Sequence, residues 1–90
     1  MYQLVFSPRA RKDYGYFKKT GNKALLNKIA ELLKDMIEHP YEGIGKPEAL
    51  KYQLSGLWSR RINSEHRLIY SVHENEIQIL VISMRYHYEL

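Results

Sequence analysis

The sequence predicts an α+β domain, in which a mostly antiparallel twisted sheet carries a two-helix hairpin on one side, in the order β-α-α-β-β-β-β. Apolar residues between Leu25 and Ile37 recur at helical spacing and form one continuous stripe. After Pro47, four runs rich in strand-forming residues are separated by turn-forming residues. Since the chain has 90 residues, we expect a single domain spanning residues 1–90.

The first half of the chain predicts a strand and then two capped helices. Residues 2–6 are rich in branched and aromatic side chains, which is typical of a strand. Ser7 provides a hydroxyl cap and Pro8 stands at the first helical position, a pattern that indicates a helix start. Gly21 and Asn22 predict the end of that helix and the cap of the next one.

The second half predicts a loop and four strands. Pro40 ends the second helix, because proline disfavours helical geometry in the residue before it, and residues 41–47 form a loop. The strand-like runs are residues 50–54, 58–63, 67–72 and 77–83. The last run is nearly continuous Ile, Leu and Val, which is typical of a central strand buried on both faces.

Composition narrows the classes of function. The chain lacks cysteine, which excludes disulfides and thiolate metal sites. We see no signal peptide and no apolar run of membrane-spanning length, so we expect a cytoplasmic protein without a membrane partner. The net charge of +4 favours acidic partners, although it also serves solubility. Eight tyrosines and one tryptophan move the balance toward nucleic acid.

Metal and nucleophile motifs are missing from the sequence. The four histidines show no i, i+4 pair and no clustered acids, so we expect no metal site. No serine stands in a Gly-x-Ser-x-Gly elbow, and no glycine-rich phosphate loop has the required spacing. We therefore expect neither a metal nor an organic cofactor.

The segment of residues 46–67 concentrates positive charge. It holds five basic residues and two acids, a local balance of +3. The basic residues are Lys46, Lys51, Arg60, Arg61 and Arg67. Arginines at this density are expected to be exposed, because buried and unpaired they would be unstable. They predict a phosphate clamp; the alternative is a solvated face paired with Glu65 and Glu76.

Two further features offer proton transfer. Glu48 follows the rigid Pro47, so it is either a fixed general base or an ordinary exposed loop acid. His87 lies between Tyr86 and Tyr88 after the last strand, and histidine exchanges protons near neutral pH. The alternative for this end of the chain is a frayed tail. Together with the arginines, these groups are the parts needed to cleave RNA without a metal.

Four motifs in order resemble the YoeB toxins, the Txe branch of the RelE/ParE superfamily, over nearly the whole chain. The motifs are Lys46-Pro-Glu-x-Leu-Lys51, Leu54-Ser-Gly-x-Trp-Ser-Arg-Arg-Ile62, Glu65-His-Arg-Leu-x-Tyr70 and Arg85-Tyr-His-Tyr88. The resemblance implies a RelE-like fold and a ribosome-dependent mRNA endonuclease, the toxin of a toxin–antitoxin pair. Such toxins cut mRNA in the ribosomal A site by attack of the 2′-hydroxyl on the adjacent phosphate.

The same resemblance implies roles for individual residues. Glu48 matches the general base, Arg67 the transition-state cation, His87 the general acid and Tyr88 an orienting or stacking partner. Lys51 and Arg61 match supporting basic positions. It also implies three partners: mRNA with ribosomal RNA in the A site, an acidic YefM-like antitoxin, and a second copy in a free homodimer.

Two alternatives and one geometric question remain open at this stage. A ParE-like gyrase-inhibiting toxin or a simple RNA-binding module would share the basic segment without the nuclease chemistry. A two-residue turn at Ser64 and Glu65 would place Arg61 and Arg67 on opposite faces of the sheet. A three-residue loop that includes His66 would place both on one face.

Overall fold

The computed structural model describes residues 1–85. Within them, two helices and five strands follow one another along the chain. They are β1 (Gln3–Phe6), α1 (Pro8–Thr20), α2 (Lys23–Glu38), β2 (Glu48–Ala49), β3 (Trp58–Arg61), β4 (Arg67–His73) and β5 (Gln78–Ser83), with a short 3₁₀ turn (Tyr52–Leu54) between β2 and β3. This order confirms the predicted α+β class.

The five strands form one sheet in the order β1-β5-β4-β3-β2. β1 lies parallel to β5, and the other neighbouring pairs are antiparallel. The first strand of the chain therefore pairs with the last, and the helical hairpin packs across the sheet between them. Neither helix of residues 1–85 is long and apolar enough to cross a bilayer.

Both helices begin at the predicted caps. The Ser7 hydroxyl accepts a hydrogen bond from the Ala10 N–H at 3.0 Å, and Asn22 Oδ1 accepts one from the Leu25 N–H at 3.1 Å. Gly21 ends α1 with a φ of 70°, a left-handed conformation that glycine adopts without strain. The chain thus turns between the helices in two residues, which sets them side by side on the sheet.

The core lies between the helices and one face of the sheet. The predicted stripe of α2 supplies Leu25, Ile29, Leu32 and Met36 to it. The sheet supplies Ile62, Leu68, Tyr70, Ile79 and Val81. Because side chains alternate along a strand, the intervening residues point to the other face, which no helix covers. On β5 the residues that point to this other face are Leu80 and Ile82, and both are half-buried. The prediction that β5 is buried on both faces is therefore wrong for the face away from the helices.

The prediction of a strand at residues 50–54 is also wrong. The strand is β2, two residues long, and the chain then makes the 3₁₀ turn of residues 52–54. Tyr52 has a φ of 58° and a side chain 81% exposed, so it cannot continue a ladder. The alternation of Leu50 and Leu54 with polar residues resembled a strand, but only Leu50 is buried. The shorter strand places Glu48 at its beginning.

Candidate functional site

The loop that leads to Glu48 is wrapped around one buried arginine. Arg60 is fully buried on the helix side of β3. Its Nη1 donates to Asp35 Oδ2 at 2.6 Å and to the Ile44 carbonyl at 3.1 Å. Its Nη2 donates to the carbonyls of His39 and Glu42, the latter at 2.8 Å. The guanidinium thus fixes loop residues 39–44 through their own backbone.

The prediction that Arg60 is exposed and contacts RNA is therefore wrong. The density of arginines in the segment suggested repulsion, but Asp35 of α2 supplies a counter-charge 25 residues away. Nε of Arg60 donates to the Tyr70 hydroxyl at 3.1 Å, and that hydroxyl donates to the Pro40 carbonyl at 2.8 Å. Every nitrogen of the guanidinium has a partner, which is the condition for burying it. The Arg60 hydrogen bond holds the pKa of Asp35 below its ordinary value.

Two glycines allow the loop to pass close to α2 and β3. A Cβ at Gly43 would lie 2.0 Å from Asp35 Oδ2, and one at Gly45 would lie 2.5 Å from Leu32 Cδ2. Both residues have positive φ, at 116° and 80°. The Gly45 carbonyl accepts from the Arg61 N–H at 2.7 Å, which fixes the loop against β3 just before Glu48.

The beginning of the loop is held by a carboxylate between two tyrosines. Glu74 accepts from the Tyr2 hydroxyl at 2.5 Å and from the Tyr41 hydroxyl. The Tyr2 and Tyr41 hydrogen bonds lower the pKa of Glu74, and the Glu74 hydrogen bond raises the pKa of Tyr41 to about 12. The Tyr41 ring also packs on Trp58 of β3, with ring centroids 5.2 Å apart.

Glu48 lies on the face of the sheet that points away from the helices, where Ser59 and Ile69 are buried. It is the first residue of β2, it is exposed, and it pairs with Ser59 of β3. Ser59 and Arg61 are two residues apart on one strand, so their side chains point to the same face. Diagonal neighbours across an antiparallel pair are ~7–8 Å apart between Cα atoms, which places Arg61 within reach of a group held by Glu48.

Arg61 and Arg67 lie directly opposite each other on β3 and β4. The hairpin continues past this pair, because the Ile62 N–H donates to the His66 carbonyl at 3.0 Å. The loop has three residues, but they are residues 63–65, so His66 is paired and not part of the loop as predicted. This settles the question of register: both arginines share the face that carries Glu48. Two guanidinium groups opposed in this way repel each other and attract an anion.

The β3–β4 loop also orients Arg67, through a residue that the sequence analysis missed. Asn63 Oδ1 accepts from the N–H groups of Glu65 and His66 at 2.9 and 2.7 Å. The carbonyls of Asn63 and His66 accept from Arg67 Nη1 at 2.8 and 3.1 Å. Asparagine at the start of a turn is typical of this side-chain-to-backbone pattern, so the signal was present in the sequence.

The remaining predicted site residues divide into two groups. Lys46 and Lys51 are exposed and flank Glu48 along the chain, on the loop and before the 3₁₀ turn. His87 and Tyr88, predicted as the acid and its orienting partner, lie outside the described residues. The structure therefore brings together Glu48, Arg61 and Arg67 on one face and excludes Arg60 from it. Within residues 1–85, no three His, Asp or Glu side chains gather as metal ligands would.

Comparison with known proteins gives consistent matches along the chain. A family model described as the YoeB-like toxin of bacterial type II toxin–antitoxin systems matches residues 6–88. Toxin YoeB of Escherichia coli K12 is 48% identical over 86 residues, covering 96% of this chain and 99% of that protein. Toxin YoeB of Synechocystis is 46% identical over 87 residues, covering 97% and 98%.

Solved structures agree with these matches. A YoeB/ParE toxin from Agrobacterium tumefaciens superposes with a TM-score of 0.90 at 37% identity, covering 96% of this chain and 99% of that one. The YoeB dimer from Staphylococcus aureus gives 0.84 at 49% identity, covering 97% and 98%. The heterotetrameric YoeB–YefM toxin–antitoxin complex from the same organism gives 0.83 at 47%, covering 98% and 99%.

Proposed function

Since the chain belongs to the YoeB-like toxin family of bacterial type II toxin–antitoxin systems, we propose that it is a ribosome-dependent endoribonuclease that cleaves mRNA in the ribosomal A site. The observation that carries the proposal is the opposed pair of Arg61 and Arg67 on the face that also carries Glu48. A carboxylate beside two cations on the sheet face away from the helices suits a substrate that is both a phosphodiester and a proton donor.

The two arginines bind the phosphate that is attacked. A guanidinium donates two parallel hydrogen bonds to phosphate oxygens, so the pair provides four donors around one group. Arg67 is oriented by the carbonyls of the β3–β4 loop, which reduces the reorganisation needed when charge develops on the phosphorane. Lys46 and Lys51 extend the positive field along the RNA strand on either side of Glu48.

The reaction is an internal transesterification that needs no metal. Glu48 removes the proton of the 2′-hydroxyl, and the 2′-oxygen forms a bond to the adjacent phosphorus. The bond from phosphorus to the 5′-oxygen breaks, and His87 gives that oxygen its proton. The products are a 2′,3′-cyclic phosphate and a 5′-hydroxyl end. Tyr88 orients the acid or stacks on a base. Each proton transfer contributes ~10²–10⁴-fold to the rate.

Dependence on the ribosome follows from the shape of the face. Glu48 and Arg61 lie on an exposed sheet surface, and Lys46 and Lys51 beside them are also exposed. Such a surface orients its own charges but does not hold the substrate in position, and orientation of the reacting groups accounts for a large part of catalysis. The A site holds the codon in place and supplies what the toxin surface lacks.

The proposal includes two protein partners. The S. aureus relative is solved as a dimer and as a complex with YefM. We propose that this chain likewise dimerises when free and is covered by an acidic YefM-like antitoxin, whose carboxylates would occupy the cationic face in place of phosphate.

The test is end-mapping of mRNA in a translation extract. The unmodified toxin is expected to cut within the A-site codon and only on translated message. Glu48→Gln and His87→Gln are each expected to lower the cleavage rate by ~10²-fold or more, because each removes one proton transfer. Glu76→Gln is the matched control, since Glu76 is an exposed acid in the β4–β5 turn and is expected to keep full activity.

Two results would contradict the proposal. Intact message beside altered DNA supercoiling would identify a gyrase inhibitor. Cleavage that persists in Glu48→Gln and His87→Gln at the rate of Glu76→Gln would remove both residues from the chemistry.

A further inference from the structure

A second basic surface lies on the outer side of α1, in the layer opposite the catalytic face. Its centre is Gly15, which is exposed in the middle of the helix. Its four neighbours at i−4, i−3, i+3 and i+4 are all basic and all exposed. They are Arg11, Lys12, Lys18 and Lys19. Residues at these spacings lie ~5–6 Å apart on a helix surface, so the four cations surround the glycine. We call these five residues the α1 basic face.

No acid among residues 1–85 forms an ion pair with this face. The one acidic residue of α1 is Asp13, which is buried. Its Oδ1 accepts from Arg9 Nε at 3.2 Å, and its Oδ2 accepts from the N–H groups of Met84 and Arg85 at 2.9 and 3.2 Å. Its charge is therefore directed into the sheet. Within residues 1–85, none of the four cations of the α1 basic face takes part in an ion pair.

Helix stability does not explain this arrangement. Glycine in a helix interior costs about 1 kcal/mol relative to alanine, and a Cβ at Gly15 would meet no atom within 4 Å. Arg11 lies in the first turn, where the helix dipole disfavours cations and no acid is present. Lys18 and Lys19 in the last turn agree with the dipole, but they add to the same positive field. A bare backbone among four cations instead allows a polyanion to approach closely.

We propose that the α1 basic face is a second RNA-binding surface, which holds the phosphate backbone of structured RNA over Gly15. Protein interfaces have an aromatic or aliphatic centre and are depleted in lysine, whereas this face has glycine at its centre and three lysines. Its composition matches a phosphate contact. That the RNA is ribosomal rests on the proposed function, since a toxin with cations on both layers suits a site bounded by RNA on two sides.

The test measures binding, so that its outcome is separate from cleavage. In a Glu48→Gln background, which keeps the message intact, affinity for ribosomes and for an isolated RNA duplex is measured against salt concentration. Lys12→Gln with Lys19→Gln is expected to weaken binding to both by about tenfold and to reduce the slope of log K against log salt by about 1 per lysine. Lys23→Gln with Lys34→Gln, exposed positions of α2, is the charge-matched control and should change binding less than twofold.

A second measurement locates the RNA. The chain has no cysteine, so Gly15→Cys accepts a single iron chelate that cuts nearby RNA with hydroxyl radicals. Cuts in ribosomal RNA are expected from Gly15→Cys and not from Asn27→Cys, an exposed control on α2.

Three results would overturn the proposal. The first is equal binding by the α1 and α2 double variants. The second is an absence of cuts from Gly15→Cys while the same protein binds ribosomes. The third is a loss of affinity for a poly-glutamate peptide with unchanged affinity for RNA, which would assign the face to an acidic protein. These three measurements report binding and do not depend on catalysis. They therefore test the α1 basic face even if the unmodified toxin does not cleave mRNA.

Discussion

Arg60 is the side chain on which the site's loop depends. Removing one partner of a buried, hydrogen-bonded ion pair destabilises a protein by ~3–5 kcal/mol, because the remaining charge and carbonyls lose their partner. We expect Arg60→Met to lower the free energy of unfolding by that order in chemical denaturation. Arg61→Met, at the exposed neighbour, should change it by less than ~1 kcal/mol. Equal stability of the two variants would mean that the Arg60 network contributes nothing net.

Asp35 makes this network sensitive to acid. Its pKa is lowered in the folded protein, chiefly by the Arg60 hydrogen bond. A lowered carboxyl pKa stabilises the fold above the unfolded-state value and loses that contribution as pH falls through the folded value. Stability is therefore expected to decline below about pH 4. Asp35→Asn should reduce this decline in denaturation curves recorded from pH 6 to 2. If the variant loses stability at low pH as steeply as the unmodified protein, Asp35 is not the cause of the decline.

The tyrosine pair around Glu74 gives a test at high pH. Tyr41 has a pKa raised to about 12 by its hydrogen bond to Glu74, so its contribution to stability is present below pH 10 and disappears as pH rises toward 12. Glu74→Gln removes the negative charge and is expected to move the Tyr41 pKa back toward ~10. Ring-carbon chemical shifts of labelled tyrosine report the titration. Glu76→Gln should leave it in place.

The burial of Arg60 could be predicted in part from the alternation of side chains along β3. Trp58, Arg60 and Ile62 share one strand parity, and the apolar members of that set mark the core face. The density of arginines nearby instead predicted that Arg60 is exposed. It is buried because Asp35 of α2 pairs with it. A buried charge is predictable only together with its counter-ion, which sequence spacing does not supply.

The loop of residues 39–47 connects the buried Arg60 to Glu48. Because Arg60 holds the backbone of this loop, it also fixes the position at which Glu48 begins β2. Gly43→Ala would place a Cβ on the Asp35 carboxylate at a φ that L-residues rarely adopt, so we expect a loss of ~1–3 kcal/mol in unfolding free energy. Gly15→Ala is the matched substitution in open space and should raise it by about 1 kcal/mol. Thermal unfolding of the two variants shows whether each is less or more stable than the unmodified protein. A lower stability of both variants would mean that the space around each glycine does not decide the effect.

The helices and strands could be predicted from the sequence where neighbouring residues determine where they begin and end. The starts of α1 and α2 follow from Ser7, Pro8 and Asn22, because capping involves residues three apart. β2 was misplaced because its two residues pair with β3 through tertiary contacts, while Tyr52 reverses the local backbone. The shared face of Arg61 and Arg67 depended on one hydrogen bond between Ile62 and His66 that the sequence left undecided.

The molecule as a whole presents cations on two opposite layers. Arg67 lies on the sheet face away from the helices and Lys12 on the outer side of the helices, so their effects should be independent. In ribosome-dependent cleavage, Arg67→Gln combined with Lys12→Gln and Lys19→Gln is expected to lower kcat/KM by the product of the separate factors. A deviation beyond ~0.5 kcal/mol in a double-mutant cycle would show that the two surfaces hold the same RNA segment.

The parallel pairing of β1 with β5 also governs timing. β5 lies between β1 and β4, so the interior of the sheet is absent until residue 83 has been synthesised. Contacts that join the two ends of a chain form late, because the whole intervening length must first be closed. A chain that lacks β5 therefore has no strand to join β1 to β4, and its sheet stays incomplete.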